Sequence, residues 1–271
     1  MTAGVTAPPL TKILETGESA AKKAGAVLSE GYQGPKSIRF KGDIDLVTEF
    51  DLASERIIVD EIKTAFPGHT IIAEEGGETN SGSPNRWYID PLDGTTNFAH
   101  GFLFFCVSIA YEALEEDGPE IQAGVIFDPL RDEMFTAVKG GGAMLNGRPL
   151  TVSGQTDLGR ALVATGFPYD IRTNSEPVLA RFRRILTAVQ GVRRPGAAAL
   201  DLAWLAAGRV DGFWEERLGP WDTAAGALIV QEAGGRVTGF SGQAFRPQLK
   251  EILATNGHLH YNMQNLLNQD V

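Results

Sequence analysis

Three groups of acidic residues follow apolar, β-rich runs in this chain. Glu74-Glu75 comes after residues 70–73, Asp90 and Asp93 come after residues 87–89, and Asp222 lies beyond residues 210–214. In layered folds, ligand sites gather where strands end and loops begin. Carboxylates brought together there repel one another and cannot all ionise cheaply. A divalent cation removes that repulsion, and an all-oxygen donor set suits Mg2+ or Mn2+ rather than zinc.

The densest of these groups is Asp90-Pro91-Leu92-Asp93-Gly94-Thr95. Pro91 restricts the backbone between the two acids, so both side chains can be held in one geometry with the Leu92 carbonyl beside them. Gly94-Thr95-Thr96 can open a helical turn whose first N–H groups would bind a phosphate, and Gly94 permits close approach of an ester. Taken alone, Asp-Pro-Leu-Asp-Gly reads first as an ordinary turn. Its weight comes from its partners.

Other chemistries find little support. The four histidines (His69, His100, His258 and His260) lack metal-site spacing with acids. Gly140-Gly141-Gly142 has no Lys-Ser/Thr after it, which excludes a P-loop, and no Gly-x-Ser-x-Gly is present. The one cysteine, Cys106, sits among Phe104, Phe105 and Val107 and is expected to be a small core residue; it allows no disulfide within the chain. A formal net charge of −10 argues against nucleic acid as the main ligand. It does not argue against a small phosphate ester, because bound metal ions neutralise carboxylates locally. No apolar run approaches ~18 residues and no basic-then-apolar leader is seen, so a cytoplasmic protein with no membrane span is expected.

Helices are predicted over residues 10–29, 48–66, 177–190, 197–207 and 222–233, with another at the C-terminus. In the second of these, Thr48 is the cap and Asp51 the reciprocal acid. Strands are predicted over 69–73, 87–89 (with Asp90 at the end), 104–113, 121–127, 133–138, 161–166, 210–215 and 251–255. Residues 76–85 read as a surface loop. The chain therefore divides into an α+β part, residues 1–152, which carries most of the acids, and an α/β part, residues 153–271, which carries Asp222.

Placed together, these segments resemble the inositol monophosphatase family of lithium-sensitive, magnesium-dependent phosphatases. The resemblance rests on Asp90 to Thr95, on Trp221-Asp222 with Gly234-Gly235 after eleven intervening residues, on Asp45-Leu46-Val47-Thr48 with Asp51, and on Ala73-Glu74-Glu75, all in the family's order. It implies a layered α-β-α-β-α sandwich, a homodimer, and two or three Mg2+ per site, with Mn2+ also possible. Glu74, Asp90 and the Leu92 carbonyl would hold a first ion. Asp90, Asp93 and Asp222 would hold a second. Thr95, bonded to Asp51, would orient the attacking water together with Glu74. Asp93, Gly94, Thr95 and Asp222 would meet the phosphate end of the substrate, and Glu215, Gly196, Ala197 and Ala198 the alcohol end.

The implied reaction is direct hydrolysis of a small phosphorylated alcohol, with myo-inositol 1-phosphate as the leading substrate. Fructose 1,6-bisphosphate, histidinol phosphate and 3′-phosphoadenosine 5′-phosphate are the alternatives. A second phosphate would call for basic residues, for which Arg172, Arg181, Arg183 and Arg184 are candidates. A non-catalytic metal- or phosphate-binding protein would be marked by a missing ligand, and none of Asp51, Glu74, Asp90, Asp93, Thr95 and Asp222 is missing. Glu75 reads as a solvated loop acid, Lys41 as a surface or loop-closing lysine, and Asp201 as a structural carboxylate paired with Arg193 or Arg194.

Overall fold

A computed structural model describes residues 8–34, 37–40, 46–79 and 81–269. Lys41 and Asp45 lie outside them. Helix α1 (Leu10–Tyr32) buries Ile13, Ala20, Ala24 and Leu28 along one stripe, as its apolar spacing predicts. Strands β1 (Ile38–Phe40) and β2 (Leu46–Thr48) pair antiparallel and lead into α2 (Glu49–Ala65). The predicted cap is present. Thr48 Oγ1 accepts the Phe50 N–H at 3.2 Å, and the Asp51 carboxylate accepts the Thr48 N–H at 2.8 Å.

Eight strands then build the larger sheet. They are β3 (Thr70–Ala73), β4 (Gly77–Thr79), β5 (Arg86–Asp93), β6 (Cys106–Glu115), β7 (Gly118–Asp128), β8 (Glu133–Val138), β9 (Gly142–Leu145) and β10 (Arg148–Pro149), with short α3 (Thr95–His100) between β5 and β6. Their order is β10-β9-β8-β7-β6-β5-β3-β4. Two expectations are corrected here. The loop over 76–85 is interrupted by β4, which turns back at Gly77 (φ +69°) and pairs with β3, covering backbone groups that β3 would otherwise present at an edge. Asp90 does not end its strand either. Strand β5 continues through Pro91 to Asp93, with a register shift against β6 between the two acids. Proline has no N–H for a ladder, and an irregularity is where a strand accommodates it.

The second sheet follows in the chain. It contains β11 (Leu162–Thr165), β12 (Gly191–Arg193), β13 (Gly212–Glu216), β14 (Arg236–Thr238) and β15 (Glu251–Thr255), in the order β12-β11-β13-β15-β14. Its helices are α4 (Glu176–Leu186), α5 (Ala198–Ala206), α6 (Pro220–Glu232) and α7 (His260–Asn268). The helix expected to reach Gln190 closes at Leu186, and β12 takes up the chain at Gly191, parallel to β11. Three residues are too few for a period-two pattern to declare itself.

Helices α1 and α2 cover one face of the eight-stranded sheet. Helices α5 and α6 lie between its other face and the five-stranded sheet, and α4 and α7 cover the outside. The result is a five-layered α-β-α-β-α sandwich. Side-chain alternation along β5 feeds two layers at once. Trp87 and Ile89 pack with Ile13, Ile58 and Ile62 on the α1/α2 side, while Tyr88 packs with Phe135, Leu202 and Leu228 on the α5/α6 side. Val163, Trp214, Leu253 and Met263 form the outer core.

The central contact is close. A Cβ added to Gly124, on β7, would fall 2.9 Å from the Ala225 carbonyl oxygen and 3.1 Å from its Cα on α6. Both are backbone atoms, so no side chain can give way. Gly124→Ala is expected to destabilise by about 1–3 kcal/mol and to lower the melting midpoint by at least about 3 °C. An unchanged midpoint would contradict this packing. No helix among the described residues is long and apolar enough to cross a membrane.

Candidate active site

Helix α2 backs the site from behind. Asp51 is buried, and its Oδ1 accepts the Thr95 hydroxyl at 2.8 Å while Oδ2 accepts the Thr48 N–H and hydroxyl. One side chain thus caps a helix and holds Thr95. Burial raises the Asp51 pKa, and the bonds from Thr48 and Thr95 pull it back. With its proton on an acceptor below, the Thr95 oxygen is free to accept from a donor in the cavity that Thr95 lines.

The irregular end of β5 presents Asp90, the Leu92 carbonyl and Asp93 together. Asp90 Oδ1 accepts the Leu92 N–H at 3.0 Å. Asp93 reaches across to the start of α5, accepting the Ala198 N–H at 3.2 Å and the Ala199 N–H at 2.7 Å. Those are helix-terminal amides, which favour a negative group. Cys106 is buried as expected, and its Sγ donates to Asp93 Oδ2 at 3.7 Å. Glu74 follows β3 directly, where its N–H continues the ladder to the Ile89 carbonyl at 3.1 Å. Asp222 lies in the first turn of α6 and accepts the Gly219 N–H at 2.6 Å.

These groups face one cavity of about 500 Å3, lined by Glu74, Asp90, Leu92, Asp93, Gly94, Thr95, Gly196, Ala198, Glu215 and Asp222. Two of the anticipated residues stand behind it. Asp51 supports Thr95 from below, and Ala197 packs into the core beside Ala198. Gly166, Phe167, Arg194 and Trp221 also stand in the walls. Sequence reasoning singles out none of these four as a site residue. Gly166 leaves room for the Glu215 carboxylate, since a Cβ there would fall 2.1 Å from Glu215 Oε1 and displace it. Glu75, expected to be fully solvated, is half-buried and donates its N–H to Glu55.

The acids crowd one another electrically. Burial first, then Glu74, Asp93 and Asp222, hold the Asp90 pKa well above the usual carboxylate range. Burial, then Asp93 and Glu74, do the same to Asp222. Asp93 is pushed up to about 6 by burial, restrained by its amide bonds. Burial pushes Glu215 up to about 8 against the opposing charge of Arg194. Asp201 is buried without an ion pair among the described residues, so the pairing expected with Arg193 or Arg194 is not formed. Burial, then Glu215 and Asp93, raise its pKa, and Arg194 acts only through its charge. Arg181 is bound to Glu216 and Arg184 to the Leu266 and Leu267 carbonyls, and neither lines the cavity.

Among the described residues, no three acid, histidine or cysteine side chains close into a ready-made metal cage. Asp90, Asp93 and Asp222 each direct an oxygen to a backbone N–H instead. The donor set is nevertheless of one kind: carboxylate oxygens and a carbonyl, mutually repelling and accessible from a cavity. That chemistry fits a hard divalent cation such as Mg2+.

Comparison with known proteins agrees with this arrangement. The "Inositol monophosphatase 2" of Solanum lycopersicum is 42% identical, with 96% of this chain and 99% of that protein covered. The "Nus factor SuhB" of Pseudomonas aeruginosa is 46% identical over 88% of this chain and 89% of its own. The crystal structure of the extragenic suppressor protein suhB from Bartonella henselae superposes with a TM-score of 0.90 at 41% identity, covering 96% of this chain and 99% of that one. The inositol monophosphatase family as a whole matches residues 9–271. The chain belongs to the inositol monophosphatase family and is a phosphoric monoester hydrolase.

Proposed function

We propose that the protein hydrolyses a small phosphorylated alcohol, myo-inositol 1-phosphate first among candidates, with Mg2+ as cofactor. The observation that carries this reading is the meeting of Glu74, Asp90, Asp93 and Asp222 in one cavity whose walls also hold Ala198 and Glu215. Glu74, Asp90 and the Leu92 carbonyl would hold one ion. Asp90, Asp93 and Asp222 would hold a second, with Asp90 shared and a weaker third site near Glu74. Mn2+ suits the same oxygens. Bound there, a divalent cation neutralises the phosphate and the departing oxygen, and makes a water nucleophilic near neutral pH.

The chain's own groups do the positioning. Thr95, with its proton on Asp51, accepts from the water and with Glu74 aims it at phosphorus. The Gly94 and Thr95 N–H groups, among the first amides of α3, have no partner within the helix and would donate to phosphate oxygens. Glu215 would bond a hydroxyl of the alcohol, with Gly196 and Ala198 against its ring and Ala197 behind them. Phosphorus passes directly to water, with no phosphorylated side chain between. The protein would act as a cytoplasmic homodimer and be inhibited by lithium.

The test is a panel of phosphate esters assayed with and without Mg2+ and Li+. Mg2+-dependent phosphate release is expected, fastest from myo-inositol 1-phosphate and reduced by Li+. The absence of Mg2+-dependent release from every ester would overturn the reading. Faster release from a bisphosphate or a nucleotide would transfer it to that substrate.

A further inference from the structure

Asp51, Ser54 and Glu55 occupy positions i, i+3 and i+4 of α2, which places them on one face of the helix. All three are buried. Each grips a different part of the acid cluster. Asp51 accepts from Thr95, Ser54 Oγ donates to the Pro91 carbonyl at 2.7 Å, and Glu55 Oε2 accepts the Glu75 N–H at 2.9 Å. The Pro91 carbonyl lies between Asp90 and Asp93, and the Glu75 N–H belongs to the peptide adjoining Glu74. One helix face therefore holds the turn after β3 and the irregular end of β5 at a set separation.

Glu55 stands out among the three. A buried carboxylate is unfavourable unless it is hydrogen-bonded, and a bond from an N–H to an ionised oxygen is a strong one. The chain also leaves room for it. A Cβ on Gly76 would fall 2.6 Å from Glu55 Oε1. Gly76 does not have a left-handed φ, so its backbone does not itself ask for glycine. The close approach of the carboxylate does.

We infer that the 51/54/55 face of α2 is a clamp that spaces the two ligand-bearing turns, and that Glu55 is the positioning residue for Glu74. The inference rests on the metal reading proposed above. Glu55 touches neither substrate nor metal in this scheme. It sets where Glu74 stands when the ion arrives, so losing it should weaken metal binding before anything else. Removal of groups that orient metal ligands characteristically weakens metal affinity roughly 10–100-fold.

The experiment is calorimetric titration of the full chain with Mg2+ alone, beside metal-free melting curves, for the native protein and for Glu55→Ala, Glu55→Gln and Gly76→Ala. Glu55→Ala and Gly76→Ala are expected to weaken Mg2+ binding by at least about tenfold. Glu55→Gln, which keeps an acceptor oxygen, is expected to recover most of that loss. Gly76→Ala removes no side chain and acts only by displacing the Glu55 carboxylate, so it decides the matter alone if Glu55→Ala does not fold. Native-like Mg2+ affinity in the folded variants overturns the clamp. So does a lowered metal-free midpoint in the Ala and Gln variants with affinity unchanged, which would assign Glu55 to stability only. If the native protein binds no Mg2+, the clamp falls together with the metal reading. If the native protein and the variants bind alike, only the clamp falls.

Discussion

Asp93→Asn should lower kcat by about three orders of magnitude, equivalent to about 4 kcal/mol of transition-state stabilisation, while leaving the fold intact. Asparagine matches aspartate in shape, and its carbonyl oxygen can still accept the Ala199 N–H. What disappears is the charge, together with the acceptor for the Ala198 N–H, which an amide nitrogen cannot replace. In the proposed site Asp93 serves the second ion, and charge stabilisation by a metal contributes several kcal/mol to such reactions. The metal-free variant should melt close to the native midpoint, because removing a charge that raises the pKa values of Asp90 and Asp222 offsets the lost bond from the Ala198 N–H. Steady-state kinetics with saturating Mg2+ and a melting curve on the same sample check both halves. Near-normal turnover would refute the role given to Asp93.

The second large effect concerns pH. Burial pushes Asp93 up to about 6 in the fold, and Asp90 and Asp222 are also displaced upward. In the unfolded chain such groups lose their protons near pH 4. Between that value and their raised pKa values in the fold, the folded protein therefore holds protons that the unfolded chain has released, so over that window these acids lower stability as pH rises. The acids titrate as a set, so their contributions do not simply add. A divalent cation binds the ionised forms and reverses the effect. The rise in melting midpoint caused by Mg2+ should accordingly be small at pH 5 and grow steadily to pH 8, relative to protein in chelator. A rise that is constant or shrinking over that range would contradict the electrostatic account of the cluster.

Much of the fold and the site is legible in the amino-acid sequence, for reasons that differ by residue. Strands β6 and β7 declare themselves through long apolar runs, and α2 through its cap at Thr48 and Asp51. Glu74, Asp90, Asp93, Thr95 and Asp222 stand out because each sits in a short motif of fixed spacing. The short strands β4 and β12 leave no signal, since three residues carry no measurable periodicity and their pairing depends on a neighbour's open edge. The continuation of β5 through Pro91 is hidden because proline normally ends a strand reading. Glu55 and Ser54 are invisible for another reason. On a helix surface an acid and a serine look solvated, and only the fold shows that this face is turned inward. Arg194 and Phe167 reach the cavity from strand ends and loops of the five-stranded sheet, a proximity that no local pattern encodes.

The placement of α5 and α6 between the two sheets bears on how the chain is made. On a ribosome the strands of the eight-stranded sheet up to β10 emerge first, with α1 and α2 available for one face only. The other face, bearing Tyr88, Ala110, Ile126 and Phe135, is only partly covered when α5 emerges and is not fully covered until residue 232 has been synthesised. At roughly 5–20 residues per second, that interval is on the order of ten seconds. A broad apolar face exposed for that long invites pairing with other nascent chains. Yield in the cell should therefore respond to chaperone supply and to translation speed over residues 150–232, even where the finished protein is stable.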